Sequence, residues 1–160
     1  MNWIRRNARV DAAPGRAQNF ELGERGETLA LEHLRACGYQ IVAANFSLPI
    51  GRNTRAAIVN AEIDVVAYDE ATLCFIEVKT RTSDDFAAPQ ANVDLRKRRQ
   101  IARAAHGYRR MFGLTDAPYR YDVITVVAKL DDNEARIELL KSFWTDEQLR
   151  KRHWHEPYWD

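Results

Sequence analysis

Three acids and a lysine stand close together on two short, strand-like stretches. Glu62-Ile63-Asp64-Val65-Val66 and Phe75-Ile76-Glu77-Val78-Lys79 alternate polar with apolar residues and are rich in β-branched side chains, the pattern of strands. Asp69-Glu70-Ala71-Thr72 between them reads as a tight turn. An ordinary antiparallel hairpin closed there, with two or four loop residues, sets Tyr68 opposite Leu73, Asp64 opposite Glu77 and Glu62 opposite Lys79. Opposed residues have Cβ atoms about 4.5–5.5 Å apart, so facing carboxylates repel unless something positive lies between them. A divalent cation answers that need, because hard cations take carboxylate oxygens. Lys79 follows Glu77 by two residues and points to the same face. The other face carries Ile63, Val65, Ala67, Cys74, Ile76 and Val78, enough for a core. Taken singly, each acid reads as a solvated strand position, and Glu62 as a weak surface ion pair to Lys79. Taken together, among bulky apolar neighbours where charge is costly to bury, they outline a site.

The elements around this hairpin must position it. Residues 21–36 read as a helix, with Ala30, Leu31 and Leu34 at helical spacing and Gly38 as the stop. Glu27 lies on that apolar stripe, where it either complements the helix dipole or reaches inward. A first strand follows over 39–46, with Ile41 and Val42 as its apolar residues. The segment 47–60, with Pro49, Gly51, Arg52, Asn53 and Arg55, reads as a loop or an extended hairpin beside the site, or as an ordinary insertion. After Lys79 comes a polar loop, Thr80-Arg81-Thr82-Ser83-Asp84-Asp85, in which Arg81 is either a phosphate contact or a solvated base.

Residues 93–112 read as a second helix opened by Asn92 or Asp94, with Ile101, Ala104, Tyr108 and Met111 or Phe112 as its apolar stripe and Lys97 at the stripe's edge. Arg96, Lys97, Arg98, Arg99, Arg103, Arg109 and Arg110 make it almost purely basic. One-signed charge on a helix costs repulsion that solvation does not require, so phosphate contact explains it better than a merely wet face. A strongly apolar strand over 120–128, a turn at Asp131-Asp132-Asn133, a returning strand over 137–143 and a short helix capped by Thr145 complete the order. Asp122 reads as a partner for Arg120 or another nearby base. Helices placed this way cover both faces of a mixed sheet.

Asp64 followed by Glu77-Val78-Lys79 resembles the PD-(D/E)XK nuclease superfamily. More narrowly, the chain resembles the YraN-like family of small bacterial proteins, relatives of Holliday-junction resolvases. The residues that carry this are Gly23-Glu24-Arg25-Gly26-Glu27, Gly38-Tyr39, Asn45-Phe46, Glu62 to Val66, Phe75 to Arg81, Lys97 and Arg120 to Ile124, in consistent order. The chain departs from the family at Ala61 and Ala87-Ala88, where Gly is usual, and in a longer connection over 47–60.

The resemblance implies an α/β fold: a three-layer α/β/α domain with a central mixed sheet and a restriction-endonuclease-like αβββαβ core. It implies a metal-dependent endonuclease hydrolysing phosphodiester bonds in DNA, with Mg²⁺ or Mn²⁺ as cofactor. Asp64 and Glu77 would hold the metal, with the Val78 carbonyl and Glu27 as further ligands, and Glu27, Asp64, Glu77 and Lys79 would form the catalytic set. Lys79 would orient the attacking water or stabilise the phosphorane. Arg81, Arg96, Lys97, Arg98, Arg99 and Arg103 would meet the nucleic acid, and Glu62 would support the site. Kinship with junction resolvases, which act on two strands, implies a homodimer. Two other classes stay open: a nuclease-like module that binds nucleic acid without cutting it, and a scaffold whose acids form ion pairs.

At 160 residues, 46% of them hydrophobic, the chain suits a single domain with a real core. Its net charge of +1 does not announce a nucleic-acid binder, so local distribution must carry any such role. The two cysteines, Cys37 and Cys74, are too isolated for a disulfide framework and read as buried thiols. No apolar run reaches the roughly 18–20 residues of a membrane span, and the arginine-rich start lacks a signal-peptide core, so a cytoplasmic setting without membrane contact is expected. The expected organisation is a flexible basic arm over 1–19, a nuclease-like domain over 20–144, and a short helix with an aromatic tail over 145–160. In that tail His153, His155 and Glu156 read as surface residues, an incomplete ligand set.

Overall fold

The computed structural model describes residues 14–82, 93–128 and 135–150, with side chains from residue 19 onward. The basic arm over 1–13, the Asn92 cap, most of the polar loop after Arg81, the turn at Asp131 to Asn133 and the aromatic tail lie outside the described residues.

Eight elements occur in the order α1 (Pro14–Ala36), β1 (Gln40–Arg52), β2 (Ile58–Asp69), β3 (Thr72–Arg81), α2 (Leu95–Met111), β4 (Tyr119–Ala128), β5 (Ala135–Trp144) and α3 (Asp146–Leu149). The strands form one five-stranded mixed sheet in sequence order, antiparallel except where β3 pairs with β4 in parallel. A parallel pair requires a crossover, and α2 supplies it. The element order and the mixed sheet are those expected from the sequence. The helix α1 starts at Pro14, seven residues before its expected start at 21. The end of the expected arm therefore belongs to the helix, in which proline is well placed at the first position.

Side chains from the two faces of the sheet enter two cores. Leu73, Phe75, Tyr121 and Val123 join Ile101, Ala104, Ala105 and Tyr108 of α2. Cys74, Ile76, Ile124 and Val126 join Ala30 and Leu34 of α1. The alternation on β2 breaks at Asp64: Ile63 packs with the α2 core and Val65 with the α1 core. The expected single apolar face running from Ile63 to Ala67 is thus divided. The cause lies on β1, where Asn45, opposite Asp64 between the Ala44–Val65 and Phe46–Ile63 pairs, takes a positive φ of 53°. Asparagine tolerates that left-handed conformation better than most residues.

Asp94 caps α2, its Oδ1 accepting the Lys97 N–H at 2.8 Å. Neither Met111 nor Phe112, the two alternatives expected to end the buried stripe, is buried: they are 62% and 53% exposed, because the helix ends there and the chain turns at Gly113 with φ 66°. Cys74 is buried but Cys37, just past the end of α1, is exposed, contrary to the expected burial of both. Asp122 is fully buried and receives Arg120 Nε at 3.0 and 2.9 Å, the partnership expected for it.

Candidate active site at the fork of the sheet

The β2–β3 ladder runs from Asp69–Thr72, through Tyr68–Leu73 as expected, to Val65–Ile76. Beyond it β2 stays with β1 as far as Ile58, and β3 stays with β4 as far as Arg81. The sheet therefore forks, and Asp64 and Glu77 stand at the fork. Asp64 Oδ2 accepts the Val78 N–H at 2.7 Å, so a side-chain oxygen takes over where the ladder ends.

Glu77 is only 2% exposed. Its Oε1 receives Lys79 Nζ at 2.8 Å. Lys97 Nζ, reaching down from the first turn of α2, lies 3.3 Å from Oε2. That contact has ion-pair distance without hydrogen-bond geometry, so Oε2 is buried with no hydrogen bond among the described residues. Burial first, and then the neighbouring Glu77, push the Asp64 carboxyl up to about 7; the Val78 N–H and Lys97 pull the other way less strongly. Two carboxyl groups and two ammonium groups are thus packed into one small volume.

This donor set suits a hard dication, which takes carboxylate oxygens and would relieve the Asp64–Glu77 repulsion. Asp64, Glu77 and the neighbouring Val78 carbonyl are the groups available for it. Among the described residues, no three His, Cys, Asp or Glu side chains gather around one point. Glu27 accordingly stands one step away. Its Oε2 accepts from Asn45 Nδ2 at 3.3 Å, and Asn45 is the residue opposite Asp64. Gly26 lets α1 come this close, since a Cβ there would collide with the Thr80 side chain on β3. Glu62 is exposed and pairs across to Ser47, with its neighbours Ala61 and Ile63 both in the α2 core. It alternates to the opposite face, and Glu77, not Glu62, is the partner of Lys79.

The basic helix divides by function. Arg98 Nε donates to the Val93 carbonyl at 2.7 Å, and its guanidinium lies 5.1 Å from the Phe143 ring centroid. Arg109 is buried, donates to the carbonyls of Leu114, Thr115 and Ala117, and lies 3.8 Å from the Tyr119 ring centroid. These two hold the fold together. Arg81 is exposed at the end of β3. Arg96, Arg99 and Arg103 share one stripe of α2 with Gln100, and all four line a cavity of about 310 Å³ against the far end of the β1–β2 hairpin. The cavity also contains Arg52, which the sequence offers only as one base of the segment 47–60. Its signal was the spacing of Arg96, Arg99 and Arg103, which puts three bases on one helical stripe.

The fold and this pair of carboxylates define a mixed α/β protein with an acid–lysine cluster where its sheet divides. It belongs to the uncharacterised protein family UPF0102, whose profile matches residues 26–126, a stretch that spans Glu27, Asp64, Glu77, Lys79 and Lys97. A UPF0102 protein of Porphyromonas gingivalis is 44% identical over 122 residues, covering 76% of this chain and 82% of the relative. Similar proteins occur in Koribacter versatilis, at 40% identity over 81% of this chain and 82% of the relative, and in Geotalea uraniireducens, at 38% over 79% and 91%. No helix among the described residues is long and apolar enough to cross a membrane.

Proposed function

We propose that this protein is a metal-dependent endonuclease of the restriction-endonuclease-like, three-layer α/β/α class, acting on DNA. The observation that carries the reading is the fork itself: Asp64 and a buried Glu77 meet where the β2–β3 ladder ends, with Lys79 Nζ 2.8 Å and Lys97 Nζ 3.3 Å from the two oxygens of Glu77. Asp64, Glu77 and the Val78 carbonyl would hold Mg²⁺ or Mn²⁺, with Glu27 approaching through Asn45. When bound, such an ion lowers the pKa of a water and offsets charge developing on the phosphoryl group.

The chain's own groups do the rest. Lys79, anchored 2.8 Å from Glu77 Oε1, is placed to orient the attacking water and to donate to a phosphoryl oxygen. Lys97, 3.3 Å from Oε2, brings a second positive charge to the same point and positions the scissile phosphate together with Arg81. Arg96, Arg99 and Arg103 extend the contact along the backbone.

A second reading has one observation in its favour. Lys79 and Lys97 already close on both oxygens of Glu77, so a fork that only binds nucleic acid is electrostatically self-sufficient. One assay separates the two: linear, nicked, flapped and four-way DNA incubated in Mn²⁺, with the Asp64→Ala and Lys79→Ala variants alongside. The parent cuts at least one substrate, chelator stops it, and both variants bind DNA without cutting. Variants that cut as well as the parent would remove the assignment, and a parent that binds but never cuts would favour the binding module.

A further inference from the structure

The cavity between α2 and the β1–β2 hairpin differs from the rest of the basic surface. It is concave, and four arginines converge on it: Arg52 from the hairpin, and Arg96, Arg99 and Arg103 from one stripe of the helix. No carboxylate pairs with Arg96, Arg99 or Arg103 among the described residues, whereas Arg98 and Arg109 on the same helix are tied to carbonyls and aromatic rings. Like charges brought together without a counter-ion repel, and an anion relieves that repulsion. The hairpin is built to hold its share of the cavity. Its ladder runs out to Arg52–Ile58, Asn53 Oδ1 caps the turn by accepting from the N–H groups of Arg55 and Ala57, and Arg52 Nη1 donates to the Ala56 carbonyl at 2.7 Å. At the other end of the helix stripe, Gly107 lets α2 close down on Leu48 of β1.

The shape says what kind of anion enters. A volume of about 310 Å³ is at the small end of ligand pockets. A duplex presents its phosphates on a broad convex surface and lays them across a patch; it does not put them into a cavity. One strand is thin enough to enter. The walls match its parts. Arginine forks take phosphate oxygens bidentately, guanidinium planes stack on bases, and Ile50 and Val59 offer an apolar surface that a phosphate alone would not use. Gln100 both donates and accepts, as a base edge requires.

We infer that this cavity is a single-strand pocket: it takes one or two phosphorylated nucleotide units of an unpaired segment beside the cleavage site. The inference rests on the nucleic-acid reading above and sharpens it, since it makes the preferred substrate DNA with an unpaired strand, such as a flap or a splayed end.

The test is binding in chelator, which does not depend on cutting. Fluorescence anisotropy compares a labelled oligothymidine with a blunt duplex of equal length, for the parent, for Arg103→Ala and for Arg52→Ala/Arg103→Ala, both positions being exposed. Because Arg52 also holds the hairpin turn, the single Arg103→Ala variant guards against a loosened hairpin, and thermal melts confirm that each variant is folded. The double variant loses tenfold or more in affinity for the single strand and less than threefold for the duplex. The slope of log affinity against log salt falls by about 0.7 per lost phosphate contact. Unchanged strand affinity, or an equal loss for strand and duplex, would overturn the pocket. If the parent fails to cut DNA while the strand-selective loss is seen, the nuclease reading falls and the pocket stands.

Discussion

With burial and Glu77 holding the Asp64 carboxyl up to about 7, the folded chain keeps a proton there that the unfolded chain has released. Between the ordinary carboxylate range near 4 and about 7, the folded state therefore binds more protons than the unfolded state, and stability falls as pH rises. The site's unfavourable share is absent below pH 4 and complete above pH 7. Asp64→Asn removes it, because the amide oxygen still accepts the Val78 N–H while the NH₂ donates toward Glu77. In chelator, urea melts of Asp64→Asn should match the parent at pH 4 and exceed it by about 1–3 kcal/mol at pH 8. Equal stability at both pH values would show that Asp64 is ionised without strain. Glu77 should behave in the opposite sense: Glu77→Ala leaves Lys79 and Lys97 facing each other over a buried gap and costs stability at every pH.

The placing of these residues is a matter of how α1, the hairpin and α2 approach the fork. Gly26 sits where a side chain would strike Thr80, so Gly26→Ala must push α1 off β3 and carry Glu27 with it. The expected cost is about 1–3 kcal/mol. Thr80→Ala removes the nearest colliding atoms, so the double variant should recover part of that loss, a coupling that a double-mutant cycle in urea measures. Additive losses would mean that α1 does not rest on Thr80.

Much of this arrangement is legible in the chain because it is local. The turn at Asp69 to Thr72 sets the Tyr68–Leu73 register, and counting from it brings Asp64 and Glu77 to the same level. Helical spacing puts Lys97 at the head of the buried stripe that begins with Ile101, from where it reaches Glu77. What escapes is non-local or depends on backbone conformation. Nothing in an alternating pattern announces the positive φ of Asn45, and with it the switch of Ile63 to the other core and of Glu62 away from Lys79. Nor does sequence separation show that Arg52 and Arg103 line one cavity.

At the scale of the whole molecule, the fork concentrates an electrostatic cost that a ligand could convert into stability. Anything that binds the folded state alone stabilises it by RT ln(1 + [L]/Kd), about 1.4 kcal/mol at ten times Kd. For a chain of 160 residues each kcal/mol moves the melting temperature by about 2–4 °C. Millimolar Mg²⁺ or Mn²⁺ should therefore raise the melting temperature of the parent by a few degrees at pH 8. Near pH 5.5 the rise should shrink, since the dication must then displace the proton on Asp64, whose carboxyl is about 7 in the folded chain. Asp64→Asn should show little of the effect at either pH, while Glu62→Gln, on the opposite face of β2, should keep all of it. Calcium melts alongside separate binding from cutting, because binding requires only the oxygen donors. A parent whose melting temperature ignores every dication at pH 8 would mean that Lys79 and Lys97 are the permanent counter-ions of Glu77, and that the fork is a binding surface and not a metal centre.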